Sequence, residues 1–196
     1  SAILVAFLLA LGFGGLLSHK LVKLELPSRH VLVILMSLGA ITVGFSPVVF
    51  NSLTNGLGYI AIGESWSAYI FAVFKLSFLV VFLPTVIFGA IFPFLLKAAP
   101  VIKEASGKFV GKLVLFNSLG SAIGPVISGF ILLSFFGLWS SIKIIAVSYM
   151  IVSIYIAFSM FRKKEFKWMF IPVVALFGIV VLVNPPTIKL STGEKV

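Results

Sequence analysis

The chain has 196 residues, 61% hydrophobic and 10% charged, with a mean hydropathy of +1.25 and a formal net charge of +10. Soluble domains carry about a quarter charged residues, so this composition excludes a water-soluble globule: the excess apolar surface has no interior to enter. The lack of cysteine excludes disulfides, thiolate catalysis and Cys-based metal sites, and the lack of Asp leaves only five Glu, all outside the long apolar runs.

A spanning helix needs about 20 mainly apolar residues. Six runs qualify: 1–17, 30–53, 67–96, 109–136, 140–161 and 168–183, the last short but anchored by Trp168. They are too long for strands and lack two-residue alternation. The expected fold is all-α, a polytopic transmembrane bundle of about six spanning helices. Because the chain begins at Ser1 inside an apolar run, a seventh, preceding helix is expected in the intact domain. Residues 1–183 form the transmembrane domain on this reading, and the polar stretch 184–196, after Pro185 and Pro186, is a linker towards a C-terminal domain.

The first run carries Ala2, Ala6, Ala10, Gly14 and Ser18 at intervals of four, hence on one helix face. Small residues let two backbones approach in lipid, where packing replaces the missing hydrophobic drive. The stripe predicts a helix buried against a neighbour, with dimerisation or a substrate path as alternatives. The third run contains Pro84 and Pro93, and Pro84 predicts a kink. It also contains Lys75, roughly 12 Å inside its outer end at 1.5 Å per residue. Lys75 can snorkel to the interface, make a structural polar contact, or serve a substrate or ion site. Lys143 lies nearer the outer end of the fifth run and snorkels easily.

In the fourth run, Gly120, Gly124 and Ser128 form a second small stripe, and Asn117, Ser121 and Pro125 a polar one beside it. Pro125 predicts a second kink, and Asn117 needs a partner in lipid. Tight packing of a kinked helix and the lining of a polar cavity are the two readings.

The loops alternate in charge. Segments 18–29, 97–112 and 162–167 hold eleven of the fifteen Lys and Arg, whereas 54–66 and 137–139 hold none. The positive-inside rule makes the basic segments cytoplasmic in a plasma-membrane protein. Topology and anionic headgroups account for this charge, so no nucleic-acid partner is expected. His19 and His30 flank the first basic loop and are too far apart to form a metal site. The Gly107–Lys112 segment has the wrong Gly spacing for a phosphate loop, with no Ser or Thr after its Lys. No cofactor and no catalytic residue are expected in this chain.

Three segments together carry a resemblance. The first is AFLLALGFGG at 6–15, before a basic loop. The second is LPTVIFGAIFP at 83–93, and the third is GKLVLFNSLGSAIG at 111–124 followed by GFILL at 129–133. They are similar to the AFLxGLALGS, LPxxxMGAxxP and GxLYxxNTLGAxxGxxxxGFxLL helices of the spermidine-synthase-like proteins fused to a multi-spanning, major-facilitator-like membrane region. Phe116, Ser118 and Phe135 depart from that pattern. The tail at 190–196 resembles the lead-in to the synthase domain. The resemblance implies a C-terminal domain, after this chain, that transfers aminopropyl groups from decarboxylated S-adenosylmethionine. The charge pattern places that domain opposite a cytosolic cosubstrate.

The expected role is therefore the membrane domain of such a protein, an anchor or a polyamine-handling module. The alternatives are part of a secondary transporter or a structural subunit of a larger complex. The absence of carboxylates in the apolar runs counts against a cation carrier, while Lys75 suits an anion. Expected partners are the lipid bilayer, the C-terminal synthase-like domain, and a homo-oligomer or membrane complex. The orientation is checked with impermeant thiol labelling of intact cells: Ser65→Cys is expected to react from outside and Ser106→Cys is not. Exclusive external labelling at 106 reverses the topology.

Overall fold

The computed structural model describes residues 2–24, 26–54, 65–98, 106–160, 173–178 and 182. They form α1 (Ala2–Lys23), α2 (Ser28–Leu53), α3 (Trp66–Ala98), α4 (Ser106–Val126), a π-helical stretch (Ile127–Leu132) and α5 (Leu133–Met160). There is no strand among the described residues.

Among the described residues, four helical stretches are long and apolar enough to cross a membrane: Ile3–Lys23, Ser28–Leu53, Trp66–Lys97 and Gly107–Ser159. The expected count of about six spans is not confirmed among the described residues. The fourth of these stretches covers the fourth and fifth expected runs, two helices that meet across a kink at the connection expected between them. Its one non-helical residue is Gly137, with φ 71° and ψ 175°, inside the uncharged connection expected at 137–139. Only glycine tolerates that backbone conformation without strain. Of the sixth expected run, only residues 173–178 and 182 are described, both helical.

α1 runs to Lys23, six residues beyond its expected end at Leu17. His19, Lys20 and Lys23 do not break a helix, and cations in its last turn are favoured by the helix dipole. Leu21 and Val22 also carry its packing face onward, against Val31 and Leu35 of α2 and Ile87, Ala90 and Phe94 of α3. The chain turns only before Pro27, which directly precedes the first turn of α2.

The expected small-residue face of α1 is the buried one. Ala6, Ala10, Gly14 and Ser18 are enclosed, while Ile3, Leu4, Leu8 and Leu16 point outward. α3 covers this face. A Cβ on Gly14 would lie 2.6 Å from the Val86 carbonyl oxygen and under 3.0 Å from backbone atoms of Gly89 and Ala90. The backbones therefore meet without an intervening side chain. Gly89 answers from the other side, where an added Cβ would meet Leu11. Beside this approach, Phe13 meets Phe82 edge-on at 5.6 Å.

α2 is the central helix, packed on α3 along one side and on α5 along the other. A Cβ on Gly39 would lie 2.6 Å from the Phe88 ring. The glycine makes a notch through which Phe88 of α3 reaches Tyr149 of α5, with ring centroids 4.4 Å apart. α5 meets α2 through Ala146, Met150, Ser153 and Ala157, all buried and spaced four, three and four. Phe177, from the short helical piece at 173–178, closes the same cluster against Ala40 and Ile41.

α3 remains one helix through Pro84 and Pro93, so neither proline interrupts it. Pro125 is different, because the π-helical stretch begins two residues later. A proline withholds one amide, and here the backbone after it adopts the wider spacing typical of such disruptions. The expected tight packing of this region is not observed. Every residue from 114 to 127 is exposed, and nothing lies within 4 Å of a Cβ built on Gly120 or Gly124.

The two glycine environments of α1 give a direct test. Gly14→Ala drives a methyl into the α3 backbone and is expected to cost about 1–3 kcal/mol. Gly12→Ala, with open space at its Cβ, is expected to be neutral or to gain up to about 1 kcal/mol of helix propensity. Unfolding of the purified protein in mixed micelles checks both, and equal effects would refute the close approach.

Candidate functional site

The described residues place the expected polar positions at four separate places. Lys75 is exposed and lines an open groove of about 190 Å³ with Leu53, Ala72, Leu76 and Leu79. The groove lies between the last turn of α2 and the first half of α3. Beside this end, Trp66 and Tyr69 stack at 5.9 Å, and Phe50 meets Trp139 at 6.5 Å. Aromatic rings of this kind collect at membrane–water boundaries. Lys75 follows Tyr69 by six residues, about 9 Å along α3.

A second groove, of about 160 Å³, is lined by Ser46, Pro47, Phe50, Val80, Leu138, Trp139 and Ile142. Two proline-freed carbonyls belong to its surroundings. Pro47 cannot bond the carbonyl of Val43, and the Ser46 hydroxyl donates to that oxygen instead, at 2.7 Å. Pro84 likewise leaves the carbonyl of Val80, a lining residue, without its helical amide. Both grooves are smaller than the ~300–1,000 Å³ typical of small-molecule pockets.

Asn117, Ser121, Gly120, Gly124 and Pro125 lie together on exposed α4, apart from both grooves. The Ser121 hydroxyl donates to the Asn117 carbonyl oxygen at 2.8 Å, and that of Ser128 to Pro125 at 3.2 Å. These bonds return serine hydroxyls to their own helix, the usual solution in an apolar medium. Gly14 and Pro84 belong to the packed core instead, Gly14 at the α1–α3 contact and Pro84 one residue before buried Thr85.

Polar contacts that the sequence reading did not foresee lie between helices. Ser153 donates to the Val33 carbonyl at 3.0 Å, and Ser37 and Ser153 are linked at 2.7 Å with both residues buried. With its proton committed to Val33, Ser153 accepts from Ser37. The buried positions of α2, Ser37, Ala40, Gly44 and Pro47 among them, recur every three or four residues. That spacing was a legible sign of a second packing stripe. Ser18 differs: its Oγ is buried and has no partner among the described residues. At the opposite end from the aromatic cluster, Lys97 Nζ lies 3.4 Å from His19 Nδ1. The described residues contain no cluster of three or more His, Cys, Asp or Glu able to hold a metal.

No protein-family model, curated protein or solved structure matches the chain.

The two buried serines should separate on substitution. Ser153→Ala removes an interhelical bond and is expected to cost about 0.5–2 kcal/mol. Ser18→Ala removes a buried hydroxyl that has no partner and is expected to be neutral or stabilising. Denaturant titration of each variant in micelles reads the difference, and a larger loss at Ser18 would contradict the assigned contacts.

Proposed function

We propose that this chain is the membrane-embedded helical domain of a spermidine-synthase-like protein, acting as a non-catalytic anchor and scaffold for a synthase-like domain. One observation carries the reading. The segments 6–15 and 83–93, recognised separately as family-like, are the two sides of one contact, at Gly14 against Val86, Gly89 and Ala90. Segments that meet in helix packing fit a scaffold. The apolar runs hold no carboxylate, and the described grooves are small and open. Both features suit an anchor better than a carrier of polyamine cations.

In this reading the domain spans the plasma membrane with segments 18–29, 97–112 and 162–167 on the cytoplasmic side. A second reading, a structural subunit of a larger membrane complex, is favoured by the exposed Gly120–Gly124 face of α4.

Mass-spectrometric sequencing of the intact protein past Val196 tests the proposal. The expected result is a soluble domain with a Gly-rich nucleotide loop. That domain should sediment with membranes when joined to this chain and remain in the supernatant when severed from it. A natural stop near Val196, or several further helices, would sink the anchor reading and leave the complex subunit or a transporter.

A further inference from the structure

One end of the bundle gathers cations from three helices. α1 closes with Lys20 and Lys23, α2 opens with Ser28 and Arg29, and α3 closes with Lys97 in its last turn. All four cations are exposed. Two observations bring these helix ends together. The Lys97 ammonium donates to His19 Nδ1 at 3.4 Å across 78 residues of sequence. Below it, Leu17, Leu21 and Val22 of α1 pack with Val31 and Leu35 of α2 and with Ile87 and Phe94 of α3. The first turn of α2 has neither an acidic residue nor a side-chain cap, so its amides add potential of the same sign. Against these four basic side chains, the segment connecting α1 and α2 supplies a single carboxylate, Glu25.

The surroundings of these cations are apolar. Leu9, Phe13 and Leu16 are exposed at 47%, 51% and 63%, and lie on one stripe of α1 that ends at Lys20. Their spacing of four, three and four is that of a helix face. The stripe from Leu9 to Lys20 is about 16 Å long, roughly the depth of one bilayer leaflet. Leu24 and Leu26 flank the cations on the other side, 59% and 51% exposed. A hydrophilic anion would have no use for such a border, whereas an amphiphile would cover both parts.

We propose that this end of the bundle is a binding site for an anionic phospholipid. Lys20, Lys23, Arg29 and Lys97 hold its phosphate headgroup, and an acyl chain lies along the Leu9–Phe13–Leu16 stripe. His19 is a positioning residue: accepting from Lys97 ties the α3 cation to the end of α1. The site rests on the membrane reading of the helices and is independent of the synthase-anchor assignment.

The test uses the full chain in non-ionic detergent, where sidedness is lost and an inverted topology cannot mimic the result. Binding of an anionic and a zwitterionic phospholipid with identical acyl chains is compared by native mass spectrometry. The anionic lipid is expected to bind more tightly, and the preference to fall about fivefold per cation removed in Lys20→Gln, Lys23→Gln and Lys97→Gln. Lys20→Arg should retain it, and the opposite-end pair Lys75→Gln with Lys143→Gln should leave it intact. On the unaltered chain, raising salt from about 0.1 M to about 1 M shortens the Debye length from ~10 Å to ~3 Å and should abolish the preference. Three results would each overturn the site. They are a preference that survives the cation variants or high salt, an equal loss in the opposite-end pair, and full displacement by millimolar inorganic phosphate, which would identify a soluble anion as the ligand.

Discussion

The close approach of the α1 and α3 backbones at Gly14 is the constraint on which the α1–α3–α2 core depends. In hydrocarbon no solvent drives helices together, so association comes from van der Waals packing and from the few available hydrogen bonds. Close approach is the way to gain that packing, and it requires that one helix present no side chain. Gly14 does so, and Val86, Gly89 and Ala90 fill the place its side chain would have taken. With α3 seated, Phe88 projects through the Gly39 notch of α2 and meets Tyr149 of α5. The Ser37–Ser153 pair then fixes the height of α5 on α2, because a hydroxyl bond in an apolar medium has few alternatives.

The same medium explains the division of polarity between the two ends. Aromatic rings of α2, α3 and α5 gather at one end, in the Trp66–Tyr69 and Phe50–Trp139 pairs. The last turns of α1 and α3 and the first turn of α2 place their cations at the other. The middle keeps its hydroxyls paired with nearby backbone carbonyls, as Ser46, Ser77 and Thr42 do.

Much of this was legible in the residues and some was not. The all-helical class, the second and third elements to within two residues, and the break at Gly137 follow from run length, charge and glycine placement. The small face of α1 was readable because a four-residue repeat has only one structural meaning on a helix. The helix ending at Lys23 was not, since cations are compatible with both a loop and a favourable last turn. Asn117, Ser121, Gly120 and Gly124 show the limit most clearly. Their pattern matches that of α1, yet residues 114–127 of α4 are exposed, with no described helix covering them. A small stripe states that a helix can be approached closely, and carries no information about which helix does so.

The sequence alone determined the all-helical class and helices apolar enough to cross a membrane, because apolar run length and charge placement answer directly to bilayer thickness and headgroup charge. It also determined which faces are thin enough to pack. Only the tertiary structure decided the pairings: α3 for the face of α1, Phe88 for Gly39, Ser37 for Ser153, and His19 for Lys97. Those pairings join residues up to 116 positions apart. They depend on how rigid helices fit against one another in space, which no local pattern of side chains encodes.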